Sequence, residues 1–222
     1  MGTRNITMVI SNGETRVAQY GQWDGYPEGQ GATALRIMTD IVNKGELAKF
    51  KERVDKLMWL TKDQEEKLEK LGDDWESAHP YLSRDWGAQI LEAVMYGKLH
   101  KEKGYVSAAC TYEFDILGLV DSTSFAGDSL FCEWGYVIDL DKNTFEVYKG
   151  FNDDSRLTEE DRFFSLQETK EATAIANQRE YKYFPIKLAA TFNLTALPTP
   201  AEFLATFQTE EDEEEEVETS NE

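Results

Sequence analysis

Residues 5–20 read NITMVISNGETRVAQY and carry the clearest structural signal in the sequence. The apolar residues of the first half alternate with other residue types, which is the period of a β-strand; they are Ile6, Met8 and Ile10. The Asn12-Gly13 pair that follows suits a type I′ turn, because both central positions of that turn need positive φ. The stretch therefore predicts a β-hairpin.

The turn also predicts how the two strands pair. With Asn12-Gly13 at the tip, Ile10 lies opposite Thr15 and Met8 lies opposite Val17.

Helical spacing follows the hairpin, and strand spacing then returns. Apolar stripes predict helices near residues 33–44, 47–58, 61–71 and 83–99, and alternation predicts strands near 106–114, 130–140, 145–147 and 181–192. Thr158 and Asp161 resemble a capping box that opens a short helix, and Pro198 to Pro200 starts a final one. The predicted fold class is α+β: a mixed, mostly antiparallel sheet with an N-terminal β-hairpin, a block of helices on one side, then further strands.

Charge and composition predict one folded domain over residues 1–208 and a disordered acidic tail over 209–222. The chain of 222 residues has a net charge of −20, and nine acidic residues lie between Glu210 and Glu222, so the remainder carries −11. An acidic body argues against nucleic acid and anionic membranes as partners. It favours a small-molecule ligand or a basic protein, and two cysteines without a disulfide pattern suit the cytoplasm.

The sequence has few residues at the spacings that metal sites require. His79 and His100 have no second ligand at zinc spacing, so we expect no metal site and no cofactor. The segment Asp139–Asn143 resembles the start of a calcium loop, but Thr144 and Gly150 stand where glycine and glutamate are needed. We interpret it as a hairpin turn with solvated acids.

The glycine-aromatic segment 21–31, GQWDGYPEGQG, is the most distinctive loop. Aromatic walls with a few polar groups are typical of small-ligand sites, and a loop with Trp and Tyr is expected to be ordered. The candidate ligand-binding residues are Tyr20, Gln22, Trp23, Asp24, Tyr26, Gln30 and Gly31. The alternative is that the aromatic residues pack onto the sheet while the glycines only let the loop turn.

The order of elements, with Thr3 at the start of the first strand, resembles that of the N-terminal nucleophile hydrolases. Their proteasome-like members expose a threonine by cutting a Gly-Thr bond, and the resemblance implies Thr3 as a catalytic nucleophile in amide hydrolysis. The sequence departs from these enzymes because no lysine follows the second strand, where the glycine loop stands, and because Gly2 precedes Thr3.

Four pieces of the chain, MGTRNITMVI, VAQYGQWDGYPEGQG, WGYVIDLDKNTFEVYKGF and LPTPAEFL, resemble an uncharacterised protein family of bacteriophages, bacteria and fungi. This resemblance implies a phage accessory protein that works in the cytoplasm of the host cell. Two functions stay open: a small-molecule site at loop 21–31, with or without hydrolysis, and an acidic interaction module or inhibitor that engages a basic host protein. Oligomeric state stays open as well.

Overall fold

The computed structural model describes residues 2–70, 82–99, 112–113, 118–177 and 182–208. Its strands are β1 (Asn5–Ser11), β2 (Glu14–Gly21), β3 (Lys98–Leu99), β4 (Tyr112–Glu113), β5 (Trp134–Asp139), β6 (Thr144–Lys149) and β7 (Lys187–Asn193). Its helices are α1 (Ala32–Asn43), α2 (Leu47–Val54), α3 (Lys62–Glu69), α4 (Gln89–Tyr96), α5 (Phe164–Ala176) and α6 (Pro200–Ala205). The α+β class is therefore confirmed.

Five strands form one mixed sheet in the order β2-β1-β5-β6-β7. Neighbouring strands run antiparallel, except that β1 and β5 are parallel, with Asn5 beside Trp134. Strands β3 and β4 form a separate two-stranded pair. The mixed, mostly antiparallel sheet that the sequence predicts is confirmed, and β1 lies inside it rather than at an edge.

The N-terminal hairpin is confirmed, but its register is only half right. Asn12 and Gly13 have φ of 56° and 71°, as the predicted turn requires, and Ile10 pairs with Thr15. A bulge then shifts the pairing, so that Met8 lies opposite Ala18 instead of Val17. The extra residue in β2 brings Val17 opposite Val9, which puts both valines into one core.

Helices cover both faces of the sheet, which corrects the expectation of helices on one side. On the first face, side chains of α1, α2, α4 and α6 pack on residues such as Val9 and Phe145. On the second face, Ile6 and Met8 pack with Leu157 and Phe163, from the segment that leads into α5. Because both faces are covered, every residue of β1 and β5 is buried.

Several predicted boundaries move. The Asp161 carboxylate accepts a hydrogen bond from the N–H of Thr158 (2.7 Å), but this pair closes a turn and the helix begins at Phe164. The final helix does begin at Pro200, with a capping box between Thr199 and Glu202. The predicted strand near 106–114 falls largely outside the described residues, as does the tail 209–222. Within the described ranges, no helix is both long and apolar enough to cross a bilayer.

Candidate functional site

Loop 22–31 lies on the end of the sheet at which β1 begins. The N–H of Gly25 donates to the carbonyl of Thr3 (2.9 Å), just before β1. The buried hydroxyl of Tyr136, on β5, donates to the carbonyl of Gly25 (2.7 Å). The middle of the loop is thus bonded to two neighbouring parts of the sheet, and the prediction that it is ordered is confirmed.

Gln30 joins the two halves of the loop and fixes them to residues 82–88. Its N–H donates to the carbonyl of Asp24 (2.8 Å), and its side-chain oxygen accepts from the N–H of Ala88 (2.7 Å). Its side-chain nitrogen contacts the carbonyl of Trp23 (3.4 Å). Gln30 is buried by these contacts, so its role in the structure is to hold the loop rather than to face a ligand.

Glycine is required in this loop by close contacts. A Cβ at Gly29 would overlap the carbonyl oxygen of Asp24, and one at Gly31 would lie 2.9 Å from the ring of Tyr136. Both distances are shorter than side chains tolerate without a shift of the backbone or the ring. The glycines therefore serve the packing of the loop itself.

The two aromatic side chains of the loop remain half exposed, Trp23 at 50% and Tyr26 at 51%. The indole N–H of Trp23 donates to the Asp85 carboxylate (2.9 Å), which orients the ring. Three exposed carboxylates belong to this region: those of Asp24, Glu28 and Asp85. Each aromatic side chain therefore buries about half of its surface against the protein and leaves the other half open to solvent.

Tyr20 lies on the second face of the sheet and is joined to the loop through Gln22. The Tyr20 hydroxyl bonds to the side-chain oxygen of Gln22 at 2.5 Å. Tyr20 pairs with Ile6 and packs edge-on against Phe125 (4.8 Å between ring centroids), on the face that α5 covers. The structure thus brings Trp23, Asp24 and Tyr26 together on one loop but separates Tyr20 from Gln30.

A buried polar row beneath the loop was not predicted from the sequence. It crosses the sheet on the face opposite Ile6 and consists of Asn5, Thr7, Gln19 and Tyr136. Asn5 Oδ1 and Thr7 Oγ1 are buried without a hydrogen-bond partner among the described residues. Alternation in β1 pointed to a single buried face, so it held no sign that these polar side chains are also buried.

Replacing Thr7 with valine is expected to raise the free energy of unfolding by about 1 kcal/mol, because a buried hydroxyl without a partner is costly. The control is Ser11→Ala on the same strand. The Ser11 hydroxyl donates to Asp55 and accepts from Lys51, both at 2.6 Å, so this variant should lose stability. Urea unfolding measures both; a loss for Thr7→Val would reveal a partner, such as a bound water, in solution.

Thr3, the candidate nucleophile, is buried at 5% exposure. Its carbonyl is bonded to Gly25, as described above, and in the described part of the chain no lysine or histidine hydrogen-bonds to its hydroxyl. The single mixed sheet described here does not confirm the resemblance to the N-terminal nucleophile hydrolases. Catalysis by Thr3 stays an untested prediction.

A buried ionic cluster on the second face of the sheet also escaped prediction. The guanidinium of Arg162 bonds to the carboxylates of Asp139 (2.6 Å) and Glu146 (2.8 Å) and to the hydroxyl of Tyr148 (3.3 Å). Asp139 is therefore not a solvated turn residue, as the sequence suggested. The cluster fixes the segment before α5 to the ends of β5 and β6.

The contacts within this cluster favour an ionised Asp139 and a protonated Tyr148. Burial acts to raise the pKa of Asp139, but hydrogen bonds from Arg162 and from two backbone N–H groups outweigh it and keep the pKa below its ordinary value. Burial and the Glu146 carboxylate raise the pKa of Tyr148. Because these groups already bond one another, we interpret the cluster as a structural clamp rather than a catalytic site.

The described residues contain no group of three or more His, Cys, Asp or Glu side chains that could hold a metal ion. Cys132 is a buried free thiol. Burial, followed by the nearby charges of Asp128 and Glu133, raises its pKa well above the ordinary value, which makes it a poor nucleophile. Both histidines and Cys110 lie outside the described ranges.

Comparison with models of protein families, with curated proteins and with solved structures finds no match to this chain. A functional proposal therefore depends on the chemistry of loop 22–31 and of the surfaces around it.

Proposed function

We propose that this protein binds a small molecule bearing a cationic group on the outer surface of loop 22–31. The observation that carries the proposal is the half exposure of Trp23 and Tyr26 on a loop that backbone and side-chain hydrogen bonds hold in place. Aromatic faces attract cations through their quadrupole, most strongly for Trp. A fixed loop would lose little conformational entropy on binding.

The charge around the two aromatic residues supports a cationic ligand over a neutral or anionic one. Asp24, Glu28 and Asp85 are exposed in this region together with one cation, Arg84, so these four residues leave an excess of negative charge. Two of these carboxylates also act on a buried group. Burial raises the pKa of the Tyr136 hydroxyl, and the negative charges of Glu28 and Asp24 raise it further. A ligand cation would be drawn to this region by the same negative potential.

The proposal assigns direct contact to Trp23, Asp24 and Tyr26, and supporting roles to Gln30 and Gly31, which hold the loop. Hydrolysis is not part of it, because Thr3 is buried at 5% exposure and does not lie on the outer surface of the loop. The phage accessory role implied by the family resemblance is retained, with the ligand supplied by the cytoplasm of the host cell.

The test uses choline and its neutral isostere 3,3-dimethylbutan-1-ol, with binding followed by NMR of the tryptophan indole N–H groups. We expect choline to shift one indole resonance, which Trp23→Ala removes, while the neutral alcohol leaves it in place. Trp23→Ala should weaken choline binding about 3- to 30-fold, the range of one cation–π contact.

The matched control is Leu188→Ala, which removes an exposed apolar side chain from β7, at the opposite edge of the sheet from β2. This variant should bind choline as the wild type does. Equal responses to choline and to the alcohol, or unchanged binding in Trp23→Ala, would refute recognition of a cation at this loop.

A further inference from the structure

Phe151 has a backbone conformation that bulky residues rarely adopt. Among the described residues other than glycine, four have positive φ, and three of them are Asn12, Asp24 and Asn143. Asparagine and aspartate tolerate this region because their short side chains bond locally. Phe151, with φ of 54°, lacks that compensation, so its conformation is strained.

The surrounding contacts impose this strain. The N–H of Phe151 donates to the carbonyl of Ser129 (2.7 Å), and the N–H of Gly150 donates to the carbonyl of Glu133 (2.8 Å). The buried side chain of Asn152 donates to the carbonyls of Ser155 (2.8 Å) and Pro185 (2.9 Å). The residues on both sides of Phe151 are thus fixed, which is how local strain persists in a folded protein.

The strain does not bury the phenyl ring, because Phe151 is 54% exposed. The bonds to Ser129 and Glu133 bring it beside the segment that carries Leu130 and Phe131, which are also exposed. We call these three residues the Phe151 surface. A strained backbone that displays an aromatic side chain next to other exposed apolar residues is expected at a site of recognition rather than of packing.

Carboxylates flank the residues of the Phe151 surface along the chain. Segments 128–133 and 150–154 contain four acidic residues and no lysine or arginine; the acidic residues are Asp128, Glu133, Asp153 and Asp154. Asp153 and Asp154, directly after Phe151 and Asn152, are exposed. Three nearby cations have partners within the chain. Lys170 pairs with Asp128 (3.3 Å), and Arg4 pairs with Glu133 (3.6 Å) and lies over the ring of Phe131 (4.7 Å). The exposed Lys149, directly before Gly150, lies over the ring of Trp134 (5.7 Å).

We propose that the Phe151 surface docks a basic protein segment. An apolar side chain of that segment packs against Phe131 and Phe151, while its lysine or arginine residues face Asp153 and Asp154. Charge selects this occupant, since an acidic rim on a chain of net charge −20 complements a basic partner and repels a second copy of itself. The aromatic anchors supply the contact area on which binding energy usually depends. This interaction is separate from the cation site on loop 22–31.

The test measures binding of three synthetic peptides of equal length by fluorescence anisotropy: an amphipathic Lys/Leu peptide, a Lys/Ser peptide of the same charge, and a Glu/Leu peptide. We expect the Lys/Leu peptide to bind most tightly, with an affinity that falls as salt is raised. Absence of saturable binding at millimolar concentration, or equal binding of the Lys/Ser peptide, would overturn the proposal.

Two variants locate the site. Phe151→Gly and Phe131→Ala should each weaken Lys/Leu binding by about tenfold or more. Glycine adopts positive φ freely, so Phe151→Gly should retain the thermal stability of the wild type. A loss of peptide binding in this variant would then not be caused by unfolding. Met58→Ala, which removes an exposed apolar side chain that belongs to neither proposed site, is the control and should bind the peptide normally. Unchanged affinity in Phe151→Gly would refute the site, and self-association that Phe151→Gly abolishes would assign the surface to a second copy.

Discussion

Replacing Arg162 with methionine is expected to lower the free energy of unfolding by about 3–5 kcal/mol at neutral pH, because two buried carboxylates would lose their cation. The side chain of Asp139 is 2% exposed and that of Glu146 is 7% exposed, so neither carboxylate is well hydrated in the folded protein. Methionine preserves most of the apolar stem of arginine, which separates the loss of charge from a loss of packing. Urea unfolding at pH 7 gives the difference directly.

The pH dependence of this variant should have the opposite sign to that of the wild type. In the wild type the pKa of Asp139 is lowered on folding, so its contribution is present above the unfolded value of about 3.9 and is lost as the pH falls further. Without Arg162, burial dominates and raises that pKa, so the folded variant gains relative stability as Asp139 takes up a proton. The deficit between variant and wild type should therefore shrink from pH 7 towards pH 4.

Arg156→Met is the matched control, because Arg156 pairs with Glu171 at 2.9 Å on the surface and is 64% exposed. Exposed ion pairs contribute about 0–1 kcal/mol, so this variant should stay close to the wild type at every pH. Equal losses in the two variants would contradict the clamp, since they would show that burial of the Arg162 cluster adds nothing.

Replacing Gly29 with alanine is expected to cost about 1–3 kcal/mol of unfolding free energy, as overpacked sites do. The new Cβ would overlap the carbonyl of Asp24, which cannot move freely because it accepts the hydrogen bond of Gln30 at 2.8 Å. The loop would have to shift as a unit, and Trp23 and Tyr26 would lose their fixed positions. Choline binding should weaken together with stability.

Gly45→Ala is the control for this second variant. Gly45 has φ of 68° and open space where a Cβ would stand, so alanine there costs only backbone strain of roughly 1–2 kcal/mol. It should leave the indole resonance of Trp23 unchanged, whereas Gly29→Ala should shift or broaden it. An unchanged Trp23 signal in Gly29→Ala would mean that the loop absorbs the Cβ locally and is not the fixed base that we propose.

Features that depend on neighbouring residues were predictable from the sequence. The Asn12-Gly13 turn, the helix that begins beside the glycine loop and the final helix after Thr199 each follow from backbone preferences within a few positions. The loop itself was singled out by composition, and its ordered state is confirmed. Its binding role stays a prediction that the proposed experiments test.

Features that depend on distant residues were not predictable. The bulge that moves Met8 from Val17 to Ala18 follows from packing of both faces of β1, which alternation does not report. Asp139 looked like a solvated turn residue because its partner Arg162 is remote in sequence and carries no motif. A helix after Thr158 was predicted, but its place on the second face was not, because whether a helix covers one face or the other is decided by tertiary packing.

The parallel pairing of β1 with β5 has a consequence for the order in which the chain can fold during synthesis. The hairpin of β1 and β2 leaves the ribosome first, but an isolated two-stranded hairpin is marginally stable in water. Its inner edge is completed only when Trp134–Asp139 emerges, on the order of ten seconds later at usual elongation rates. Throughout that interval β1 offers an unpaired strand edge and the apolar face of Ile6, Met8 and Ile10 to solvent, so we expect the nascent hairpin to be exposed to mispairing until β5 has been made.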